Sequence, residues 1–261
     1  MKTIAIANQK GGTGKTTTAY NLGIALTQQG YRVLMVDFDP QGNLSCYCGI
    51  PPEQDLEQTI TELLMKVAYE KPLSHRECVY QSKRTDDSAP QVDFIPSNLR
   101  LASFELAMGT MMCREVLLKT CLEQYSSQYD YCIIDNPPDI GLNVVNALAI
   151  TDEVIVPVKV DEDALEGLDI VTEQIEDAKV FNPALKLAGV LITSYQNTDG
   201  EAAGVEWLEQ KTDFNILGII RYSKKVAENT FMRKPIYEYS PCCGAAQGYK
   251  KFVTAYTGKA R

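Results

Sequence analysis

The sequence predicts an α/β fold, in which a mostly parallel twisted sheet is flanked by helices on both faces. Short apolar segments rich in Val and Ile alternate along the chain with longer segments of helical periodicity, the pattern of repeated β-then-α units. Hydrophobic residues make up 45% of the 261 residues and charged residues 23%, as in a globular protein with a buried core. We therefore expect a single domain over residues 1–261.

Seven segments have the length and composition of strands that are buried on both faces. They are residues 3–8, 32–37, 92–96, 131–135, 153–158, 187–193 and 216–220. Seven further segments have a helical pattern, namely residues 15–29, 54–68, 100–125, 142–150, 164–179, 202–211 and 244–256. The first helix places Ala19, Leu22 and Leu26 on one stripe and ends before Gly30, a residue that often terminates helices. The polar residues 80–91 are expected to form a surface loop.

Several classes of protein are disfavoured by composition. No apolar run approaches the roughly 18 residues of a membrane-spanning helix, and no signal-peptide pattern opens the chain, so we expect a cytoplasmic protein. The eight cysteines lack paired C-x-x-C spacing, and the sequence has one histidine. Free thiols are therefore expected rather than a zinc site.

A glycine-rich segment follows the first strand and opens the first helix. Its glycines let backbone N–H groups surround phosphate oxygens, and the helix start adds a positive dipole end. Lys15 would supply a cation to the phosphates, and the Thr16 hydroxyl would bind Mg²⁺. The nucleotide-contacting residues of this loop are then Gly11, Gly12, Thr13, Gly14, Lys15, Thr16 and Thr17. The motif predicts the P-loop NTPase version of the α/β fold.

The loop departs from the usual G-x-x-x-x-G-K-[ST] pattern, because Gln9 stands where the first glycine belongs. It matches K-G-G-x-G-K-[ST]-T, the deviant Walker A motif, and resembles the ParA/Soj family of the ParA/MinD superfamily. The resemblance implies ATP and Mg²⁺ as ligands and a homodimer that forms on ATP binding. It also implies that Lys10 reaches the nucleotide of the partner subunit, where it would act in catalysis together with Lys15. A second cation there would neutralise charge on the transferring phosphoryl group.

Two aspartate-containing loops follow later strands. The run Val36-Asp37-Phe38-Asp39-Pro40-Gln41-Gly42-Asn43 resembles the family's switch I, V-D-x-D-P-Q-x-N. By that resemblance Asp39 positions the attacking water, and both aspartates help to organise Mg²⁺. Without the P-loop, the same run would equally suit a plain Asp/Pro/Gly turn.

The second aspartate loop is Tyr131-Cys132-Ile133-Ile134-Asp135-Asn136-Pro137-Pro138-Asp139-Ile140-Gly141. Its apolar strand ending in Asp135 has the form of a Walker B strand, whose carboxylate holds the metal through water. The run resembles the switch II pattern D-x-P-P-x-x-G. Where many relatives have Cys and Ser, this chain has Asn136 and Asp139, which leaves the details of hydrolysis open.

The charge distribution bears on the partner. The net charge is −9, yet residues 221–261 contain nine Lys and Arg against two acids, a net of +7. The resemblance places DNA-binding residues at Arg221, Lys224 and Lys225, where contacts to phosphates would be independent of sequence. It further implies a nucleoid-associated ATPase, stimulated by a ParB-like partner, that drives plasmid or chromosome partition. A solvated basic surface is the alternative interpretation of the charge.

Other members of the superfamily supply the alternative functions. A MinD-like membrane ATPase would need an amphipathic C-terminal helix, but Tyr249, Phe252, Val253 and Tyr256 are typical of a core helix, so no stable membrane association is expected. A nitrogenase-iron-protein-like redox role is disfavoured, because no cysteine lies between Cys132 and Cys242. An ATPase that positions another cargo remains open. So do the adenine contacts, since Ile220 replaces the Pro that relatives often carry before Arg221.

Overall fold

The computed structural model describes residues 1–51, 54–74, 76–83, 90–161, 164–211 and 214–258. Within these residues, eight strands form one sheet in the order β3-β4-β2-β5-β1-β6-β7-β8. The strands are β1 (Lys2–Ile6), β2 (Val33–Asp37), β3 (Tyr80–Gln81), β4 (Asp93–Ile95), β5 (Tyr131–Asp135), β6 (Glu153–Lys159), β7 (Lys186–Tyr195) and β8 (Ile216–Arg221). All neighbouring pairs are parallel except β3–β4. The predicted fold class is confirmed.

Helices connect the strands and cover both faces of the sheet. They are α1 (Lys15–Gln28), α2 (Asn43–Tyr47), α3 (Ile60–Ala68), α4 (Arg100–Ala107), α5 (Leu117–Glu123), α6 (Leu142–Ile150), α7 (Ala164–Ala178), α8 (Asp199–Lys211), α9 (Lys225–Phe231), α10 (Ile236–Tyr239) and α11 (Gly244–Thr257). No helix in the described part of the chain is long and apolar enough to span a bilayer.

The two faces of the sheet are filled by alternate residues of the same strands. In β1, Ile4 and Ile6 pack in a core formed with α1 and α11, whereas Ala5, and Ala7 directly after the strand, pack in the core under α6 and α7. A third core lies under α3, α4 and α5. Burial on both faces explains why these strands are continuously apolar in sequence.

The helix α11 belongs to the core, as the sequence predicts. Tyr249, Phe252 and Val253 are all buried against α1 and the sheet. Their apolar face is therefore already covered by the fold.

Three predictions about the middle of the chain need correction. The helix predicted over residues 54–68 begins at Ile60, because Thr59 and Glu62 form a capping box there. The helix predicted over residues 100–125 divides into α4 and α5, and between them Cys113 has a left-handed backbone with φ of 58°. The predicted surface loop 80–91 includes β3 at the sheet edge, and its residues 84–89 lie outside the described part of the chain.

The order of the strands brings three loops to one edge of the sheet. β1 lies between β5 and β6, and β5 lies between β1 and β2. The carboxyl ends of β1, β2 and β5 are therefore neighbours, and the loops that follow them meet there. In open α/β sheets this is the position where ligands bind.

Candidate nucleotide site

The loop between β1 and α1 has the backbone of a phosphate-binding loop. Gly12 and Gly14 have φ values of 73° and 88°, in the left-handed region that glycine adopts without strain. Gly14 is the N-cap of α1, and its carbonyl accepts the first helical hydrogen bond from Thr18 N–H at 2.9 Å. A Cβ built on Gly11 or Gly12 would meet no atom within 4 Å, so open space lies beside the backbone here.

Hydrogen bonds from the Asn8 and Thr193 side chains hold this loop in place. The Asn8 amide donates to the Pro157 carbonyl at 2.7 Å, and its oxygen accepts from Lys10 N–H at 2.9 Å. The Thr193 hydroxyl donates to the Thr13 carbonyl at 2.7 Å. Sequence analysis did not identify Thr193. Its signal was its position as a polar residue near the carboxyl end of a parallel strand.

Lys15 lies inside the site, with 7% of its surface exposed. Its Nζ donates to the Lys10 carbonyl at 3.0 Å. Burial lowers the pKa of Lys15, while the nearby carboxylates of Asp135, Asp39 and Asp139 oppose that change. The structure thus brings the predicted phosphate cation together with the acids of both aspartate loops.

Lys10 points in another direction. Its Nζ forms an ion pair with Asp161 at 2.7 Å, and both side chains are about one-third exposed. Asp161 follows β6 and was not identified from the sequence. Its signal was again a polar residue beyond the carboxyl end of a strand.

Asp37 ends β2 and is fully buried. One of its oxygens accepts hydrogen bonds from Ser45 N–H at 2.7 Å and from the Ser45 hydroxyl at 2.6 Å. The Ser45 oxygen in turn accepts from Ser97 N–H at 3.0 Å. Burial raises the pKa of Asp37 to about 7, although the two bonds from Ser45 act against the increase.

Asp39 lies two residues further on, in the turn that leads to α2. Its carboxylate accepts from Gln41 N–H at 2.9 Å. Burial raises the pKa of Asp39, and the charges of Lys15 and Asp139 both act on it. Asp39 therefore faces the phosphate loop and the loop after β5.

Asp135 ends β5, directly opposite Asp37 in the register of the two strands. It is fully buried, and among the described residues neither of its carboxylate oxygens has a well-formed hydrogen bond. Burial and the charge of Asp37 raise the pKa of Asp135, while the Thr16 hydroxyl is near enough to lower it. Such a buried, unpartnered carboxylate is costly unless a ligand pairs with it.

The loop after β5 contains the two departures from the family pattern. Asn136 donates to the carbonyls of Ile6 and Ile134 at 3.2 and 3.3 Å, so it ties this loop to β1. The Asp139 carboxylate accepts from Gly141 N–H at 3.0 Å and is close enough to influence the pKa of Lys15 and Asp39. The extra acid is therefore part of the site.

A cavity of about 280 Å³ adjoins the phosphate loop. Arg221 and Lys224 line it together with Thr17 and Tyr47. Lys225 is not among the lining residues and pairs with Glu228 at 2.7 Å on the exposed side of α9. The structure thus separates the three residues predicted to bind DNA into two beside the phosphate loop and one on the outer surface.

The donor set fits a magnesium-bound triphosphate. Mg²⁺ is usually held by one or two carboxylates together with phosphate oxygens and water, not by an all-protein cage. Asp135 offers two unpartnered oxygens near the Thr16 hydroxyl, and the glycine loop offers open space beside its backbone. No cluster of three or more metal-ligating side chains occurs within the described residues.

Comparisons with known proteins agree with this geometry. Residues 1–187 match the family model described as an AAA domain, AAA_31. The sporulation initiation inhibitor protein Soj of Bacillus subtilis is 36% identical over 95% of both chains. The chromosome partitioning protein ParA of Caulobacter vibrioides is 35% identical over 100% of this chain and 96% of its own length.

Solved structures show the same relationship. Cobyrinic acid a,c-diamide synthase of Mycobacterium smegmatis, solved with an ATP analogue and magnesium, is 29% identical with a TM-score of 0.79. The match covers 99% of this chain and 97% of the synthase. Sequence and fold relatives therefore agree over the whole length of the chain.

Proposed function

The chain belongs to the ParA/Soj family of P-loop ATPases, and from this premise we propose that it is an ATP-dependent dimerising switch for partition. In this proposal residues 1–261 act as one domain that binds DNA without sequence preference. ATP hydrolysis then releases the DNA. A ParB-like protein would stimulate hydrolysis, and the cargo would be a plasmid or a chromosome. The protein would be cytoplasmic and nucleoid-associated.

One observation carries the nucleotide part of this proposal. The unpartnered carboxylate of Asp135 lies at the same edge of the sheet as Lys15, Thr16 and the open glycine loop. ATP and Mg²⁺ are the ligands of this family. Thr16, Asp135, Asp37 and Asp39 would hold the metal directly or through water. When bound, Mg²⁺ neutralises phosphate charge and makes the γ-phosphoryl group more electrophilic.

The protein's own side chains would carry the remaining work of hydrolysis. The phosphate loop from Lys10 to Thr17 would bind the phosphates through its backbone N–H groups, and Lys15 would balance their charge. Asp39 would orient the attacking water by accepting its hydrogen bond. Because burial raises the pKa of Asp39, its carboxylate is a better proton acceptor than an exposed aspartate.

The dimer would form through Lys10. Its ion pair with Asp161 lies at the surface, where exchange for a partner's phosphate is inexpensive. In the dimer Lys10 would leave Asp161 and neutralise charge on the partner's transferring phosphoryl group, as an arginine finger does.

DNA binding would depend on Arg221, Lys224 and Lys225. Arg221 and Lys224 line the cavity beside the phosphate loop, so a nucleotide there would lie within reach of both. We propose that nucleotide occupancy sets their positions and so connects the ATP state to DNA affinity.

The deciding experiment measures binding to nonspecific duplex DNA with a non-hydrolysable ATP analogue and with ADP, over a salt titration. We expect binding with the ATP analogue only, and an affinity that falls linearly with salt on logarithmic axes. Arg221→Glu/Lys224→Glu should weaken it strongly, whereas Lys71→Glu/Lys119→Glu, two charge reversals at exposed positions outside the cavity, should not. Nucleotide affinity of the double variant is measured alongside, because both residues line the cavity. Equal DNA binding in the ADP state would rule out the switch.

A further inference from the structure

A groove lies between α6 and α7, on the face of the sheet away from α1 and α11. Its volume is about 280 Å³, and its floor is apolar, with Val144, Val145 and Leu148 contributed by α6. Ile140 and Phe181 also line the groove, and their side chains are 58% and 41% exposed. We call this feature the α6–α7 groove.

Several exposed apolar side chains meet in this groove. Single exposed apolar side chains are common on proteins and need no explanation. Here, however, Ile140 and Phe181 share one concave surface with Val145, which is itself only half-buried. These exposed side chains are not part of the core. On α7, the residues that pack into the core are Leu168, Val171 and Ile175.

Two acids line the same groove. Glu173 and Asp177 lie four residues apart on α7, and both are exposed. Like charges at this spacing destabilise a helix. Within the described residues neither acid has an ion-pair partner, although Glu176 between them pairs with Lys179. The groove is therefore both apolar and negatively charged.

One end of the groove belongs to the loop after β5. Ile140 directly follows Asp139, whose carboxylate bonds Gly141 N–H and acts on the pKa of Lys15 and Asp39. A molecule seated on Ile140 would thus touch the segment that borders the nucleotide site. The position of the groove suits a partner that senses or sets the state of that loop.

We propose that the α6–α7 groove docks an amphipathic, basic helix of a partner protein. Apolar side chains one turn apart would fill the floor between Ile140 and Phe181, and flanking Lys or Arg would pair with Glu173 and Asp177. This is the helix-in-groove mode of recognition, with charge complementarity setting the choice of partner. The link to ATP turnover rests on the proposed function, whereas the docking itself does not.

The test uses the full chain and a synthetic amphipathic helix of about 18 residues, long enough to be helical alone. The peptide carries Leu at positions i, i+4, i+7 and i+11 with flanking Lys, and a second peptide has Glu in place of every Lys. Binding is followed by fluorescence anisotropy without nucleotide, so that a failure of the ATPase proposal leaves this measurement intact. We expect the Lys peptide to bind. The Glu peptide should bind at least about tenfold more weakly, because its charges are repelled by the acids of the groove and a tenfold loss requires only about 1.4 kcal/mol.

Variants assign the binding to the groove. Glu173→Lys/Asp177→Lys should reduce affinity for the Lys peptide at least about tenfold. Glu206→Lys/Glu209→Lys, two charge reversals at exposed positions on α8, should leave it unchanged. Phe181→Ser tests the apolar contact separately. Equal binding of both peptides, or binding unaffected by the groove variants, would overturn the proposal. So would a change in self-association of the double variant, since it would assign the groove to a second copy of the chain.

Discussion

The strands β2 and β5 end in carboxylates at the same level of the sheet, but the two carboxylates differ in their hydrogen bonds. Asp37 and Asp135 are register partners on adjacent strands, and both are fully buried. Ser45 satisfies Asp37 with two hydrogen bonds, whereas both oxygens of Asp135 have no well-formed hydrogen bond among the described residues. The difference indicates that Asp37 is fixed in the folded framework, from which it would reach Mg²⁺ only through water, whereas both oxygens of Asp135 are available to bind a ligand directly.

The largest expected effect comes from removing Lys15, the cation that lies near the acids of the loops after β2 and β5. Lys15→Ala removes the ammonium group that faces Asp135, Asp39 and Asp139, and with it the main charge for the phosphates. A hydrogen bond to a charged group is worth up to about 3 kcal/mol, so ATP affinity should fall by up to about 150-fold. Isothermal titration calorimetry with Mg·ATP measures this. Near-normal affinity would contradict the nucleotide site itself.

The next effect compares the two loops directly. Ser45→Ala removes the hydroxyl donor to Asp37 and the acceptor for Ser97 N–H, and should destabilise the protein by about 2 kcal/mol. Asp135→Asn removes a buried carboxyl group that has no well-formed hydrogen bond and whose charged form is disfavoured by burial, so it should raise the melting temperature of the protein without ligand and abolish the added stability from Mg·ATP.

Thermal unfolding with and without Mg·ATP distinguishes these outcomes. Ser126→Ala and Asp169→Asn make the same chemical changes at exposed positions and serve as controls. If Ser45→Ala and Asp135→Asn shift the melting temperature in the same direction, the division between framework and ligand carboxylate is wrong.

The comparison also predicts a dependence on pH. Burial raises the pKa of Asp37 to about 7 from an ordinary value near 4, so between these values the folded state binds more protons than the unfolded state. The stability contributed by this group is fully present below pH ~4 and is lost as the pH rises to about 7, by at most about 1.4 kcal/mol per pH unit.

Asp37→Asn cannot titrate and therefore removes this contribution. Denaturant unfolding of the ligand-free protein at several pH values between 4.5 and 7.5 should show a smaller fall in stability for the variant than for the wild type. The difference between the two profiles is the measured quantity, and it contains the titration of Asp37 together with the effect of its charge on the pKa of Asp135. Identical pH profiles would show that Asp37 stays ionised in the fold.

The sequence predicts the parts of this site that lie close together in the chain. The glycine loop, Asp37 and Asp135 follow strands whose apolar runs are legible, and their positions at one edge follow from parallel topology. It does not predict Thr193 against Thr13 or Asp161 against Lys10, because these contacts join residues 180 and 151 positions apart. Such pairs depend on strand order, which one sequence does not specify.

The same limit explains the errors in the fold. The two-residue strand β3 has too little sequence for a period-two pattern, and it exists because β4 offers an edge. Apolar residues continue across the junction of α4 and α5, so the periodicity of residues 100–125 predicts one helix. It gives no sign of the left-handed backbone at Cys113 that separates the two. The α6–α7 groove was likewise invisible, since its lining comes from two helices that only the tertiary fold brings together.

The smallest expected effect concerns Lys10, whose ammonium group pairs with Asp161 and not with an acid of the loops after β2 and β5. Lys10 pairs with Asp161, and an ion pair at this exposure is worth about 0–1 kcal/mol. Asp161→Asn should therefore ease the move of Lys10 towards a partner's nucleotide and strengthen ATP-dependent dimerisation by up to about fivefold. Sedimentation velocity with a non-hydrolysable ATP analogue measures the dimer, with Asp169→Asn as the matched exposed control. Lys10→Ala in the same background must remove the gain, because the effect acts only through that lysine. If the gain persists without Lys10, Asp161 influences dimerisation by another route, and the ion pair is not what restrains the ligand-free state.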